Sequence, residues 1–301
     1  MKQDFLIDHL GHKLALYSWI PEGKPRAWVH LLHGMMDHAR RYDHLAAYLN
    51  SQGVLVTAQD HRGHGETSKH SLGYLGYAAD WDTLVLNVNQ AISFFEKQYE
   101  KIPLFLLGHS MGSFLALSYC QRFGGLSGLI LSGASFQSPL LTQLGASLSR
   151  MNALCLGAQN KAFVLHALVF LPYVYSVKNH RTNADWISRD TVKVDAYMQD
   201  PYCQFICSSS FYQRFFSGLT KLFSHRSAPF KQSNLPILLL SGSKDPVGGM
   251  GRNLKLLEAW LKREPHLIHK HIYNGARHEV FNEINRQEVF EDMRSWIEDK
   301  L

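Results

Sequence analysis

A serine lies between two glycines at Gly108-His109-Ser110-Met111-Gly112, and the chain changes character there. Leu104 to Leu107 is an apolar run of strand type, whereas from Ser113 onward Phe114, Ala116 and Leu117 follow a helical pattern. A strand that enters a helix through so tight a turn needs glycine where side chains would clash, and it leaves the serine hydroxyl exposed at the strand's carboxyl end. Backbone N–H groups at the start of the helix face the same space, so negative charge developing on an acyl oxygen is stabilised there. The pattern occurs once in the chain, and its chemistry is nucleophilic attack on a carbonyl carbon.

A serine hydroxyl is a weak nucleophile until a base takes its proton and a carboxylate orients that base, so an acid and then a histidine are expected downstream. Between Leu126 and Ala184 there is no Asp or Glu, which removes the strand after the elbow as the source of the acid. Asp245 follows the next strand-like run, in the loop "SGSKDPV", at a sheet carboxyl end where catalytic side chains gather. Of the four histidines beyond it, His266, His269 and His271 belong to a strand pattern and His278 to the loop after Gly275. Ser110, Asp245 and His278 are therefore the expected triad. Alone, Asp245 reads as a turn former before proline and His278 as a surface histidine; their order after the elbow gives them roles. The second oxyanion donor is expected in the loop His33-Gly34-Met35-Met36, which assigns the backbone N–H groups of Met35 and Met111. The two Met side chains read either as pocket lining or as core filler. "QDHRGHGET", residues 59–67, fits no metal-ligand spacing and reads as a structural loop, and no metal or cofactor is expected.

The elements that must hold these residues alternate. After an N-terminal hairpin come a buried strand "AWVHLLHG", a helix over 39–53, a strand "VLVTAQD" and a helix over 80–100 with Trp81, Leu84, Val88, Ile92, Phe95 and Tyr99 on one stripe. The elbow strand and helix and a strand "LSGLILSG" follow. Continuous apolar strands separated by helices imply a mostly parallel sheet covered on both faces, an α/β architecture. From Phe136 to Phe230 no strand-length apolar run occurs, so this segment is expected to be a helical insertion after the sixth strand. "PILLLSGSKDP" then resumes the sheet. The expected division is 1–135 core, 136–230 cap and 231–301 core.

With 301 residues, 46% of them apolar, the chain can bury a large core. Its N-terminus carries Asp4, Asp8, His9 and His12 where a signal peptide needs an unbroken apolar stretch, and no segment offers 18 uncharged apolar residues. Four cysteines without CxxC pairing fit a reducing compartment, so a cytoplasmic location is expected. The net charge of +6 comes without a zinc-finger spacing or a Lys/Arg block, which argues against nucleic acid. Nine Lys/Arg against four Asp lie between Phe136 and Phe230. That excess reads more simply as a solvated face than as a membrane-docking patch.

The motifs "HGMMDHARRY" (33–42), "DHRGHGETS" (60–68), "GHSMGS" (108–113), "SGSKDPVGG" (241–249) and "GARHEVFNE" (275–283) together resemble the α/β-hydrolases of the monoacylglycerol lipase and lysophospholipase group. They span nearly the whole chain outside the insertion. The resemblance implies the same triad and a cap over about 136–230. Met35-Met36 departs from it, since relatives often carry smaller or polar residues there. In the cap, Phe211, Phe215, Leu219 and Leu222/Phe223 share one helix face, and residues 162–175 are more apolar still. That face reads equally as the lining of an acyl channel, with Phe211, Phe215 and Leu219 touching substrate, or as core packing. The resulting expectation is a serine hydrolase of fatty-acyl esters, lysophospholipid or monoacylglycerol, with peripheral membrane contact through the cap as a further possibility. A short-chain carboxylesterase, an acyltransferase and a non-catalytic binding protein are the alternatives.

Overall fold

The computed structural model describes residues 1–99 and 101–301. In chain order it runs β1 (Lys2–Ile7), β2 (Lys13–Trp19), β3 (Ala27–Leu32), α1 (Asp43–Ser51), β4 (Val54–Gln59), α2 (Trp81–Glu96), β5 (Leu104–His109), α3 (Met111–Cys120) and β6 (Gly128–Ser132). Then come α4 (Pro139–Leu156), α5 (Phe163–Tyr175), α6 (Thr191–Gln199), α7 (Ser209–Phe223), β7 (Pro236–Gly242), α8 (Arg252–Leu261), β8 (Leu267–Tyr273) and α9 (Arg286–Glu298). The eight strands form one sheet in the order β1-β2-β4-β3-β5-β6-β7-β8. β1 and β2 pair antiparallel, as does β2 with β4, and all pairs from β4 to β8 are parallel. This is the α/β-hydrolase architecture expected from the sequence, with four helices standing between β6 and β7.

The continuous apolar strands divide their side chains between two layers. Leu104 and Leu106 of β5 join the layer of α2 and α3, while Phe105 and Leu107 join the layer of α1 and α9. The period-two alternation thus serves two cores, which is why no polar face breaks the run. α2 begins at a capping box in which the Thr83 N–H donates to the Asp80 carboxylate (2.8 Å) and the Asp80 N–H donates to the Thr83 hydroxyl (3.1 Å). It ends at Glu96, four residues before the expected end; Glu100, the last residue of that expectation, lies outside the described residues. The helix expected over 39–53 divides into a 3₁₀ turn, Ala39–Tyr42, and α1, whose end at Ser51 is followed by Gly53 with φ +73°.

α7 is amphipathic, and its buried face packs into the same layer as α2 and α3. Gly218 permits the close approach: a Cβ there would lie 2.2 Å from the Trp81 ring. α4 lies against α7 with all six of its own leucines exposed. A separate small cluster, including Val174, Trp186, Ile187, Tyr197 and Cys203, joins α5 and α6 to Val247 after β7. No described helix is long and apolar enough to cross a membrane.

Candidate active site

The parallel register brings the carboxyl ends of β3, β5, β7 and β8 to one edge of the sheet, where the candidate residues follow their strands. Ser110 follows β5 with φ 51° and ψ −117°, a conformation that non-glycine residues rarely adopt. The surrounding structure over-determines it. The Ser110 N–H donates to the Ser132 carbonyl (2.9 Å), while the Ser110 carbonyl accepts from the Ser113 N–H (2.9 Å) and hydroxyl (2.6 Å). A Cβ on Gly108 would lie 2.4 Å from the Gly112 carbonyl oxygen, and one on Gly112 would lie 2.1 Å from the Leu32 carbonyl oxygen. Glycine at both positions is therefore a steric requirement of the turn.

His278 follows β8, and its Nδ1 lies 3.0 Å from Oδ1 of Asp245, which follows β7. Asp245 is wholly buried; its Oδ1 also accepts from the Val247 N–H (2.9 Å), and its Oδ2 has no partner among the described residues. Burial disfavours the charged form of His278. The Asp245 carboxylate and its hydrogen bond outweigh burial, with Glu279 and Asp37 adding to them, so the imidazole pKa is raised. Ser110 and His278 line one cavity without a direct hydrogen bond between them; such contacts often tighten only around substrate.

The loop after β3 reaches over the serine, and a Cβ on Gly34 would come within 3.3 Å of the Ser110 Cβ. Its shape is held by Asp37, which accepts from the N–H of Gly34 (3.1 Å) and of His38 (2.8 Å) and from the Tyr42 hydroxyl (2.8 Å). Below it, His33 Nε2 accepts the N–H of His61 (3.0 Å), so its Nδ1 carries the proton that goes to the Gly34 carbonyl (2.8 Å). That bond turns the Gly34–Met35 peptide so that the Met35 N–H points away from it. Neither the Met35 nor the Met111 amide donates to another described residue. Met35 and Met36 both line the cavity, and Met36 holds a left-handed φ of 55°.

The sequence reading missed one ion-pair network. Arg41 donates to Asp37 (2.9 Å) and, through both terminal nitrogens, to Glu279 (2.8 and 2.7 Å), which follows His278 in the chain. Burial pushes the Asp37 carboxyl up, but Arg41, with His33 and His109 nearby, holds it well below the usual carboxylate range. The loop after β3 and the loop that carries His278 are thus tied through one guanidinium. "QDHRGHGET" acts as a prop: Asp60 accepts from the Tyr17 hydroxyl (2.9 Å) and from the Ala39 (2.9 Å) and Glu66 (2.8 Å) N–H groups.

A cavity of about 500 Å³ opens over Ser110. The end beside Ser110 is formed by Ser110, His278, Gly34, Met35 and Met111; the remaining wall is mostly apolar and comes mainly from the helices between β6 and β7, with Asp37, His109, Gln137 and Glu279 as its polar members. Phe215 and Leu219 of α7 line it, and so does Phe216, which lay off the expected stripe. Phe211 does not: it is fully buried, 5.7 Å from the His64 ring and 6.3 Å from Phe215, where the first turn of α7 meets the 61–64 loop. Of the two readings of this face, substrate lining and core packing, Phe211 has the surroundings of the second, because the cavity runs beneath only the later turns of α7. α4, for which no substrate-facing role was expected, supplies Leu141, Leu144 and Leu148.

Residues 23–285 match the family model described as Serine aminopeptidase, S33. The chain is 29% identical to the monoacylglycerol lipase of Mycolicibacterium smegmatis, over 95% of this chain and 93% of that one. It is 30% identical to the monoglyceride lipase of Homo sapiens, over 97% and 89% respectively. Among solved structures, a thermostable carboxyl esterase from Bacillus coagulans in complex with glycerol superposes with a TM-score of 0.88 at 27% identity, covering 99% of this chain and 98% of that chain.

Proposed function

Since the chain belongs to the serine aminopeptidase S33 family of α/β-hydrolases, we propose that it is a serine ester hydrolase acting on fatty-acyl esters of the monoacylglycerol type. The observation that carries this reading is the cavity of about 500 Å³, with Ser110 and His278 at one end and apolar side chains, leucine and phenylalanine chief among them, over most of the rest. Ser110 Oγ attacks the ester carbonyl carbon while its proton passes to His278 Nε2. The carbonyl oxygen takes up the negative charge and meets the Met35 and Met111 N–H groups. The charge of Asp245, 3.0 Å from Nδ1, stabilises the imidazolium. His278 then gives the proton to the departing alcohol oxygen, leaving an acyl-Ser110 ester. Water repeats the sequence, with His278 again as base, and releases the fatty acid. These residues account for every proton moved.

Residues 136–230 serve in this reading as a cap that sets chain length. The exposed Leu140 and Leu154 of α4 and Phe163 and Val164 of α5 support a peripheral contact of that cap with a lipid surface. Two relatives named for monoacylglycerol or monoglyceride hydrolysis support the substrate class. The test is a series of p-nitrophenyl esters from acetate to dodecanoate, followed by monoacylglycerols. Each methylene buried contributes up to about 0.8 kcal/mol, close to fourfold in kcat/KM, until the cavity is full. Ser110→Ala should abolish turnover and labelling by a fluorophosphonate. A profile that peaks at acetate or butyrate would replace the lipase reading with a short-chain esterase, and labelling that persists in Ser110→Ala would refute the nucleophile.

A further inference from the structure

Three side chains outside the reaction described above converge where the chain after α6 meets the loop after β3. Among the described residues, His38, Asp200 and Cys203 are the one group of three metal-ligating side chains whose donor atoms all lie within 4.8 Å of one another. His38 Nε2 is 2.8 Å from Asp200 Oδ2. The Cys203 thiol is free and buried. Asp200 and Cys203 belong to one tight turn, with the Cys203 N–H donating to the Asp200 carbonyl (3.0 Å) and the Tyr202 N–H to Asp200 Oδ1 (2.8 Å). Asp-Pro-Tyr-Cys thus has the two-residue gap by which paired ligands in zinc sites reach one ion. The third ligand comes from across the interface. His38 is extended in backbone, and the Tyr202 ring packs edge-on against it at 5.6 Å, which fixes the imidazole plane.

We infer that His38 Nε2, an Asp200 carboxylate oxygen and Cys203 Sγ form a Zn²⁺ site that joins the cap to the oxyanion loop. The donor set of one imidazole, one carboxylate and one thiolate suits zinc and disfavours the hard cations magnesium and calcium. Bond lengths of about 2.0–2.3 Å in a tetrahedron require donor separations of about 3.3–3.7 Å, so the His38–Asp200 pair opens slightly and the thiol, within 4.8 Å of both, closes in by at most about one ångström. The thiol proton leaves to solvent as the ion binds. Asp200 is partly exposed, with 23% of its side chain accessible, which supplies an entry path and a fourth position for water. The charged groups acting on the thiol are Asp37, Asp200 and Glu279 against the single guanidinium of Arg41, a net negative surrounding for a dication. His38 directly follows Asp37, whose carboxylate holds the Gly34 N–H, so the bound ion fixes the cap segment to the loop that shapes the oxyanion site. None of this depends on the substrate proposed above, and the experiment reads metal binding rather than turnover.

Full-length protein freed of metal with a chelator is titrated with Zn²⁺ against a chromophoric competitor, and in parallel with Co²⁺ as a spectroscopic substitute. The expected result is one ion per chain, a higher melting temperature with Zn²⁺, and a sulfur-to-cobalt charge-transfer band. Cys203→Ser should remove the band, and Cys203→Ser and Asp200→Asn should each weaken Zn²⁺ binding by at least about tenfold, the minimum seen even for loss of an outer-shell partner. Cys155→Ser, at an exposed thiol on α4, should change neither. Should Cys203→Ser fail to fold, the wild-type band, its retention in Cys155→Ser and the weakening in Asp200→Asn decide the matter. A wild-type protein without the band, a band that follows Cys155, or binding unchanged in folded Cys203→Ser or Asp200→Asn would overturn the site.

Discussion

Replacing Asp245 with Asn isolates the carboxylate's charge from its geometry. Two donors, the N–H of Val247 at 2.9 Å and Nδ1 of His278 at 3.0 Å, converge on the same oxygen, Oδ1. An asparagine with its carbonyl oxygen in that place keeps both hydrogen bonds, and the imidazole keeps the tautomer whose Nε2 accepts the Ser110 proton. The reversed amide would set its NH₂ against the Val247 N–H and is disfavoured. Fold and tautomer therefore survive, and the lost quantity is the attraction between a carboxylate and an imidazolium. At separations of about 3–4 Å and an effective dielectric of about 20, that attraction is about 4–5 kcal/mol, or about 10³–10⁴ in kcat. The pH profile supplies a second readout. Only neutral His278 can accept the proton, and its pKa is raised above 6.5, so wild-type kcat/KM should fall as pH drops through a value above 6.5. In Asp245→Asn the largest upward pull is gone and burial remains, so the acid limb should move to lower pH. The assay is the initial rate of p-nitrophenyl octanoate hydrolysis, followed by pH-stat from pH 5 to 9, with circular dichroism to check the fold. A loss below about tenfold, or an acid limb that stays in place, would refute the assignment of Asp245 as the partner of His278.

The glycines of the elbow should resist the smallest possible substitution. Gly112→Ala would place its Cβ 2.1 Å from the Leu32 carbonyl oxygen, backbone against backbone, and should cost more than about 3 kcal/mol in urea denaturation or prevent soluble expression. Leu148→Ala, on an α4 residue that lines the cavity yet is 39% exposed, should leave stability within about 1 kcal/mol while lowering kcat/KM for dodecanoate several-fold more than for butyrate. Phe215→Ala should lower both stability and chain-length preference, because Phe215 lines the cavity and packs edge-on against Trp81 at 5.8 Å. Its melting temperature should fall by an amount equivalent to about 3 kcal/mol or more, along with its chain-length discrimination.

The parts of the site that could be read from the sequence are those whose physical requirement is local. Five residues determine the elbow, because a backbone turn that brings Gly112 against Leu32 tolerates no side chain whatever surrounds it. Asp245 and His278 required only chain order and an exclusion, since each lies in the loop after a strand of a mostly parallel sheet whose parallel strands share one carboxyl edge. The tie between Asp37, Arg41 and Glu279 carried no such signal: Arg41 and Glu279 are 238 residues apart, and charged residues in loops look alike until the fold places them together. Phe211 and Phe215 show the same limit within one helix. Their spacing puts them on one face, but what covers that face changes from the 61–64 loop to the cavity within a single turn. The leucines at 141, 144 and 148 are spaced three and four apart, a stripe present in the sequence. Its significance depends on α4 lying across α7, and periodicity alone does not specify the neighbour.

Chemistry and selectivity thus come from segments under different constraints. In the proposed reaction every group that handles a proton or an oxyanion follows a strand of the core sheet, where hydrogen bonds such as Ser110 N–H to the Ser132 carbonyl (2.9 Å) fix its position. The wall that meets the rest of the substrate is mostly side chains of α4, α5 and α7, held by apolar packing that exchanges one large residue for another at modest cost. In the proposed reaction a change of acyl chain or alcohol therefore falls chiefly to the segment between β6 and β7, with Met36, Phe114 and Val247 as the core's share of the same wall. The elbow glycines, Asp245 and His278 have no comparable freedom, because a carboxylate 3.0 Å from an imidazole nitrogen loses its effect if it moves by the width of a methyl group.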